Sequence, residues 1–307
     1  MKKIGILILI IAISCNQKKN SSESSQTKKV EPKDAAQKEE TSTNMEEEIT
    51  PPAASWDEVK IQQPEINGYH THFVNNGRLL LYSRENFEGL WYYDFQSEKN
   101  QLITDQMGAG YQPQWVDGKI VFEVRARMKY LEAFNFDTKA IEPVESSKKS
   151  LSPMRYAQEI ENKPSARLSG DLLGIEIINR DGAKKTLKPQ PEGNYILASL
   201  SPNGKLLLYN VAGLGGFIAD FNGKTLRELG DVDAPQWVND DLVVYAKSKD
   251  DGMQILDSKV FVFDWKAEKK YPLNIDNVAL FEPSVSRDGS QISAHSSDGN
   301  IYIFTKK

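Results

Sequence analysis

The stretch LSPNGKLLLYN, residues 200–210, is a turn followed by a strand. Serine, proline, asparagine and glycine favour a tight reversal, and the apolar run after Lys205 suits a pleated, buried surface. The same grammar returns as VSRDGSQISAH at 285–295 and as FVNNGRLLLYS at 73–83. One turn placed repeatedly before one kind of strand points to repeated sheets.

Extending each stretch towards the N-terminus lengthens the match. GYQPQWVDGKIVFEV at 110–124 aligns with DAPQWVNDDLVVYAK at 233–247, each with a proline two residues before a tryptophan. FEPSVSRDGSQISAH at 281–295 keeps the frame with Val285 in the tryptophan position, YILASLSPNGKLLLY at 195–209 with Leu200, and GYHTHFVNNGRLLLY at 68–82 with Phe73. The large side chain at that position suits burial between neighbouring sheets. The Asn-Gly and Asp-Gly pairs provide the positive φ angles of a tight hairpin. Each opening leads into further short β-type runs, such as GLWYYDF, LEAFNFD, GFIADF and KVFVFDW.

No sustained helical period interrupts this pattern, and SPMRYAQEIENKPSA at 152–166 reads as an excursion between strands. A three-strand meander with a final polar strand is one propeller blade, and the period of about 40 to 48 residues fits such repeats. Openings near 68, 110, 150, 195, 233 and 281 predict an all-β fold, a six-bladed β-propeller over residues 56–307. The last blade ends on NIYIFTKK after its third strand. Residues 58–64, EVKIQQP, are expected to supply the fourth and close the ring.

The phrase LSPNGKLLLYN with FIADFNGKTLREL resembles the repeat of TolB-like (WD40-like) propellers, P-x-W-S-P-D-G-x-x-I-x-[FY] and the strand that follows it. The resemblance covers about residues 60–307. It implies a propeller of the cell envelope that binds a lipoprotein and the disordered tail of another component. Residues 16–55 are not expected to form the α/β domain that precedes the propeller in TolB itself, so only the binding mode carries over.

The N-terminal residues MKKIGILILIIAISC join two lysines to an apolar run too short for a permanent membrane span, the layout of an export signal. Ala12, Ile13 and Ser14 before Cys15 resemble the lipobox of bacterial lipoproteins. The resemblance implies a signal peptide over 1–14 and lipidation of Cys15. It also implies a lipid-anchored protein of the bacterial envelope, with Asn16 favouring the outer membrane. Cys15 is the only cysteine, so no internal disulfide forms. Residues 16–55 contain no aromatic side chain and cannot bury enough apolar surface to offset ordering, so 15–55 reads as a lipidated tether.

Thirty-eight basic and 43 acidic residues give a formal charge of −5, without a basic stripe interleaved with aromatics, which argues against nucleic acid as a partner. The expected partners are the membrane, through the lipid, and an envelope protein or peptide.

The first strand of each propeller blade lines the central channel. The residues just before the large side chain are His72, Gln114, Ser199, Gln236 and Ser284; two positions earlier stand His70, Gln112, Leu197, Ala234 and Glu282. Strand alternation is expected to bring both sets to one side. His70, His72 and Glu282 have the donor types of a metal site, although a hydrogen-bonded polar channel without metal or other cofactor is the plainer expectation. No G-x-S-x-G elbow occurs, and SRDGSQIS lacks the spacing of a sialidase Asp-box. VAGLGGF at 211–217 is expected to be a connecting loop rather than a phosphate loop. RARMKYLEAF at 125–134 and AKSKDDGMQILDSKV at 246–260 read as irregular rim loops.

A non-enzymatic protein- or peptide-binding module is the reading these features favour. The alternative is a metal-dependent, lyase-like enzyme acting on glycans at the channel mouth.

Overall fold

The computed structural model describes residues 55–144 and 152–307. The signal peptide, Cys15 and all of the tether except Ser55 lie outside the described residues, as does the opening expected near residue 150.

The chain folds as a six-bladed β-propeller, with 23 strands and one α-helix among the described residues. Strand β1 (Val59–Gln62) comes first. Blade 1 follows with β2 (Tyr69–Val74), β3 (Leu79–Ser83), β4 (Glu88–Asp94) and β5 (Lys99–Met107). Blade 2 comprises β6 (Gln114–Val116), β7 (Lys119–Arg125), β8 (Lys129–Asn135) and β9 (Ile141–Pro143). Helix α1 (Pro153–Glu161) precedes blade 3, a sheet of β10 (Ser165–Leu168), β11 (Ile175–Ile178) and β12 (Lys184–Leu187). Blade 4 holds β13 (Tyr195–Leu200), β14 (Leu206–Val211), β15 (Gly215–Asp220) and β16 (Thr225–Gly230). Blade 5 holds β17 (Asp233–Trp237), β18 (Leu242–Asp250), β19 (Ile255–Asp264) and β20 (Lys269–Leu273). Blade 6 takes β21 (Phe281–Val285), β22 (Gln291–His295) and β23 (Ile301–Lys306) from the end of the chain, and β1 as its fourth strand.

The β1–β23 pairing is antiparallel and runs from Val59 opposite Lys306 to Gln62 opposite Ile303. Ser55 N donates to Lys307 O at 2.7 Å and extends the clasp. Strand pairing therefore continues to the outer edge of blade 6, as expected for ring closure.

The repeated turn has a local cause. Ser201 Oγ accepts from Leu206 N, and Gly204 N donates to Ser201 O. Ser286 repeats both bonds with Gln291 N and Gly289 N; Ser296 does so with Asn300 N and Gly299 N. A serine followed three residues later by a glycine at positive φ thus builds the same reversal at SPNG, SRDG and SSDG.

The core consists of clusters wedged between neighbouring blades rather than one central mass. Leu79, Leu81 and Leu90 of blade 1 meet Ile120, Phe122 and Val124 of blade 2. Similar seams join blades 3 and 4, 4 and 5, 5 and 6, and 6 and 1. Trp56, 5% exposed, enters the seam between blades 5 and 6 just before β1 begins.

Three local expectations are corrected. The segment after residue 152 is a helix, capped by the Ser152 hydroxyl accepting from Arg155 N and ended by Asn162 in the left-handed region. Its Tyr156 and Ala157 pack on Val116, Val121 and Leu131, so α1 fills the seam on the far side of blade 2. The supposed loop at 125–134 is mostly β8, and residues 246–260 form a long β18–β19 hairpin paired from Leu242–Asp264 to Asp250–Ile255. Backbone pairing continued there because both arms kept a strand pattern despite their charge.

Candidate functional site

The inner strands share an irregularity that the sequence pattern conceals. Register slips by one residue between Tyr69 and His72 in β2, between Asp233 and Gln236 in β17, and between Phe281 and Ser284 in β21. His70, Ala234 and Glu282 sit in these bulges at φ of 53°, 46° and 45°, and Gln112 occupies the matching place before β6 at 49°. Three of the four precede proline: Pro113, Pro235 and Pro283. Proline has no N–H to give a ladder, so a bulge is where a strand accommodates it. The bulge also shifts strand parity. Simple alternation therefore does not bring the two sets of channel residues to one side.

His70 Nδ1 lies 2.7 Å from Glu282 Oε2 and donates across the boundary between blades 1 and 6. The His70 ring stacks on Phe87, with centroids 4.0 Å apart. His295, on β22, reaches the same carboxylate, its Nε2 3.5 Å from Glu282 Oε2. Beside His295 and His70, the Glu282 carboxyl is pushed down to about 2, although burial opposes the shift. Tyr69 presents its ring edge-on to His295 at 5.0 Å, and Phe281 stacks against it at 6.0 Å. In the sequence His295 only closes the stretch VSRDGSQISAH, and nothing in its spacing reveals the contact with Glu282.

His72 takes a different place. It lines a cleft with Gln114, Trp115, Lys163 and Arg287, near the ends of the inner strands, whereas His70 and Glu282 stand at their beginnings. Burial pushes its imidazole down to about 4, and the neighbouring His70 adds to the shift. The ring is thus held neutral at physiological pH. An unfolded histidine titrates near 6.5, so the unfolded chain binds more protons between pH 6.5 and 4, and stability falls as pH falls through that window. We expect a loss of about 3 kcal/mol across it, absent in His72→Gln, measured by urea denaturation at a series of pH values.

The remaining channel residues mostly engage the protein itself. Gln236 Nε2 donates to Pro283 O at 2.8 Å, tying blade 5 to blade 6. Gln114 Nε2 turns back to Gln112 O at 3.3 Å. Ser284 is buried, while Ser199 is half-buried on β13. Thr71 and Ser293 share a buried hydroxyl–hydroxyl bond of 2.8 Å between blades 1 and 6. Among the described residues, no group of three His, Cys, Asp or Glu side chains is placed to hold a metal ion.

No protein-family model matches the chain, and no curated protein matches its sequence. Among solved structures it is similar to the β-propeller domain of Myceliophteria thermophila Cps50 (Swd1), with 12% identity, 76% of this chain and 82% of that one covered, and a TM-score of 0.40. It is also similar to the tricorn protease, with 13% identity, a TM-score of 0.43, and 80% of this chain but only 26% of that one covered. Both are likenesses of fold.

Proposed function

We propose that this chain is a cell-envelope lipoprotein whose TolB-like propeller is a non-enzymatic protein- or peptide-binding module. β-Propellers generally serve as protein-binding modules, built as rigid rings that present side chains from several blades on one surface. The observation that carries the reading is the convergence of His70, Glu282 and His295 from blades 1 and 6, where Glu282 and His295 border a cleft of about 420 Å³ that Asp231, Asp233 and Asp250 also line. Here rigid strands from different parts of the chain hold a recognition surface whose polar atoms are fixed by one another. The anchoring part rests on the resemblance of Ser14-Cys15 to a lipobox. Three acyl chains would hold the protein far more firmly than one.

Expression in a two-membrane bacterium tests both parts. Mass spectrometry of the membrane-extracted protein is expected to find acyl groups on Cys15 as the mature N-terminus, and Cys15→Ala to release the protein into the soluble fraction. Affinity capture with the full chain is expected to recover a discrete envelope protein. An unmodified Cys15 in an intact chain overturns the anchor. Repeated capture of nothing above background counts against the binding module.

A further inference from the structure

The cleft that His72 lines, of about 250 Å³, is assembled from distant parts of the chain. The end of β2 gives His72 and Phe73, and β6 gives Trp115. The last residue of α1 gives Glu161, with Lys163 just beyond it, and the turn after β21 gives Arg287. Blades 1, 2 and 6 and the helix thus meet at the end of the inner strands opposite to Glu282.

Besides His72, three titratable side chains line this cleft: Glu161, Lys163 and Arg287. Lys163 and Glu161 compensate each other, Nζ lying 2.8 Å from Oε2. Arg287 enters no ion pair among the described residues. The cleft therefore keeps one uncompensated positive charge, carried on a planar fork of N–H donors. His72 adds a second observation. The residue is half-buried, and neither ring nitrogen has a hydrogen-bond partner among the described residues. Neither is sealed from solvent: the buried side-chain nitrogens left without a partner belong to Trp56, Arg227, Trp237 and His295. Burial holds the imidazole neutral, so it brings one N–H donor to the cleft and no charge.

We propose that this cleft binds one carboxylate group, carried by a small organic acid or by the C-terminus of a polypeptide. A guanidinium presents two parallel N–H groups to the two oxygens of a carboxylate, and an imidazole N–H is a further donor. One net positive charge balances one negative charge. A phosphoryl group carries about −1.5 to −2 at pH 7, and its excess would stand uncompensated beside Glu161. Phe73 and Trp115 supply apolar wall for the carbon atoms next to the carboxylate. The site lies apart from Glu282 and His295 and goes beyond the binding-module reading, which does not require it.

Calorimetric titration of the full chain with the dipeptide acid acetyl-Ala-Ala, its C-terminal amide, acetate and inorganic phosphate tests this. The acid is expected to bind with one-to-one stoichiometry, and the amide at least about tenfold more weakly. Arg287→Gln is expected to weaken the acid by a similar factor. Lys224→Gln, in the turn before β16, is the charge-matched control and should leave it unchanged. Glu161→Gln has the opposite sign: it removes the one negative charge of the cleft and releases Lys163, so the acid should bind about threefold more tightly or better. Arg287 is exposed, so its variant keeps the fold, and Glu161→Gln decides the matter independently. Acetate binding as tightly as the dipeptide acid assigns the site to small organic acids; acetate binding much more weakly assigns it to polypeptide C-termini. Equal affinity for the amide, unchanged affinity in Arg287→Gln, phosphate binding more tightly than the acid, or no binding of either carboxylate at millimolar concentration overturns the proposal. Capture of an envelope protein by Arg287→Gln as by the parent leaves the binding-module reading intact, so the two fail separately.

Discussion

Deleting residues 55–62 is expected to lower the unfolding free energy by roughly 5 kcal/mol or more, which would bring a domain of ordinary stability close to its threshold. The segment contributes two things. Strand β1 pairs with β23 through four residues, and without it the last three-stranded sheet presents an unpaired edge. Trp56 packs among Val244, Val260 and Val262 of blade 5 and Ile292 and Phe304 of blade 6. Truncating a buried tryptophan typically costs about 3 to 5 kcal/mol, so Trp56→Ala alone should account for most of the loss. Deleting residues 16–50 is the matched control and should leave the midpoint unchanged, because their composition supplies almost no apolar surface. Equilibrium denaturation of the three variants measures the difference. An unchanged midpoint after loss of 55–62 would show that the clasp contributes nothing.

Trp115→Ala and Trp237→Ala are expected to cost about 3 kcal/mol each, towards the low end of the range because both side chains keep some exposure. Their equivalent positions in the repeat place them in equivalent seams. Trp115 packs on the cluster between blades 1 and 2, with its ring edge-on to Phe136 at 6.1 Å. Trp237 packs on Leu208 and Ile218 of blade 4 and on Val243 and Tyr245 of blade 5. The preceding glutamines make a clean contrast. Gln236→Ala removes one bond to Pro283 O and should cost about 1 kcal/mol, and Gln114→Ala, whose bond is longer and local, no more than that. Trp237 Nε1 is buried without a partner, so Trp237→Phe should recover much of the stability lost in Trp237→Ala. Tryptophan variants as stable as the parent would mean that the seams do not carry the domain.

The blades were legible because each repeats a local code. The turn residues, the large side chain and the apolar strand lie within about fifteen residues of one another, a scale on which pattern reports structure directly. Blade 3 was less legible because α1 separates its first strand, β10, from the preceding sheet. The signals for that helix were present at Ser152, Pro153 and Asn162, but in a β-rich setting they resemble ordinary turn residues. The candidate site was legible only in part. His70 and Glu282 could be assigned to the inner strands, but the one-residue bulges that aim them depend on pairing with the next strand and, at Glu282, on the proline that follows. His295 could not be placed beside Glu282 from sequence. The strand turn between them sets which side chains meet, and no short-range pattern encodes that meeting.

The clasp also orders events in time. Val59 is synthesised well before its partner Lys306, which follows it by about 250 residues. Blades 1 to 5 consist of hairpins between sequence neighbours and can form as they emerge, each loop closing over a short span. Blade 6 must wait until β23 has been made, with β1 and Trp56 unpaired meanwhile. That interval exposes an apolar strand edge, and it makes the final pairing the natural slow step of folding and the first to reverse when the ring breathes.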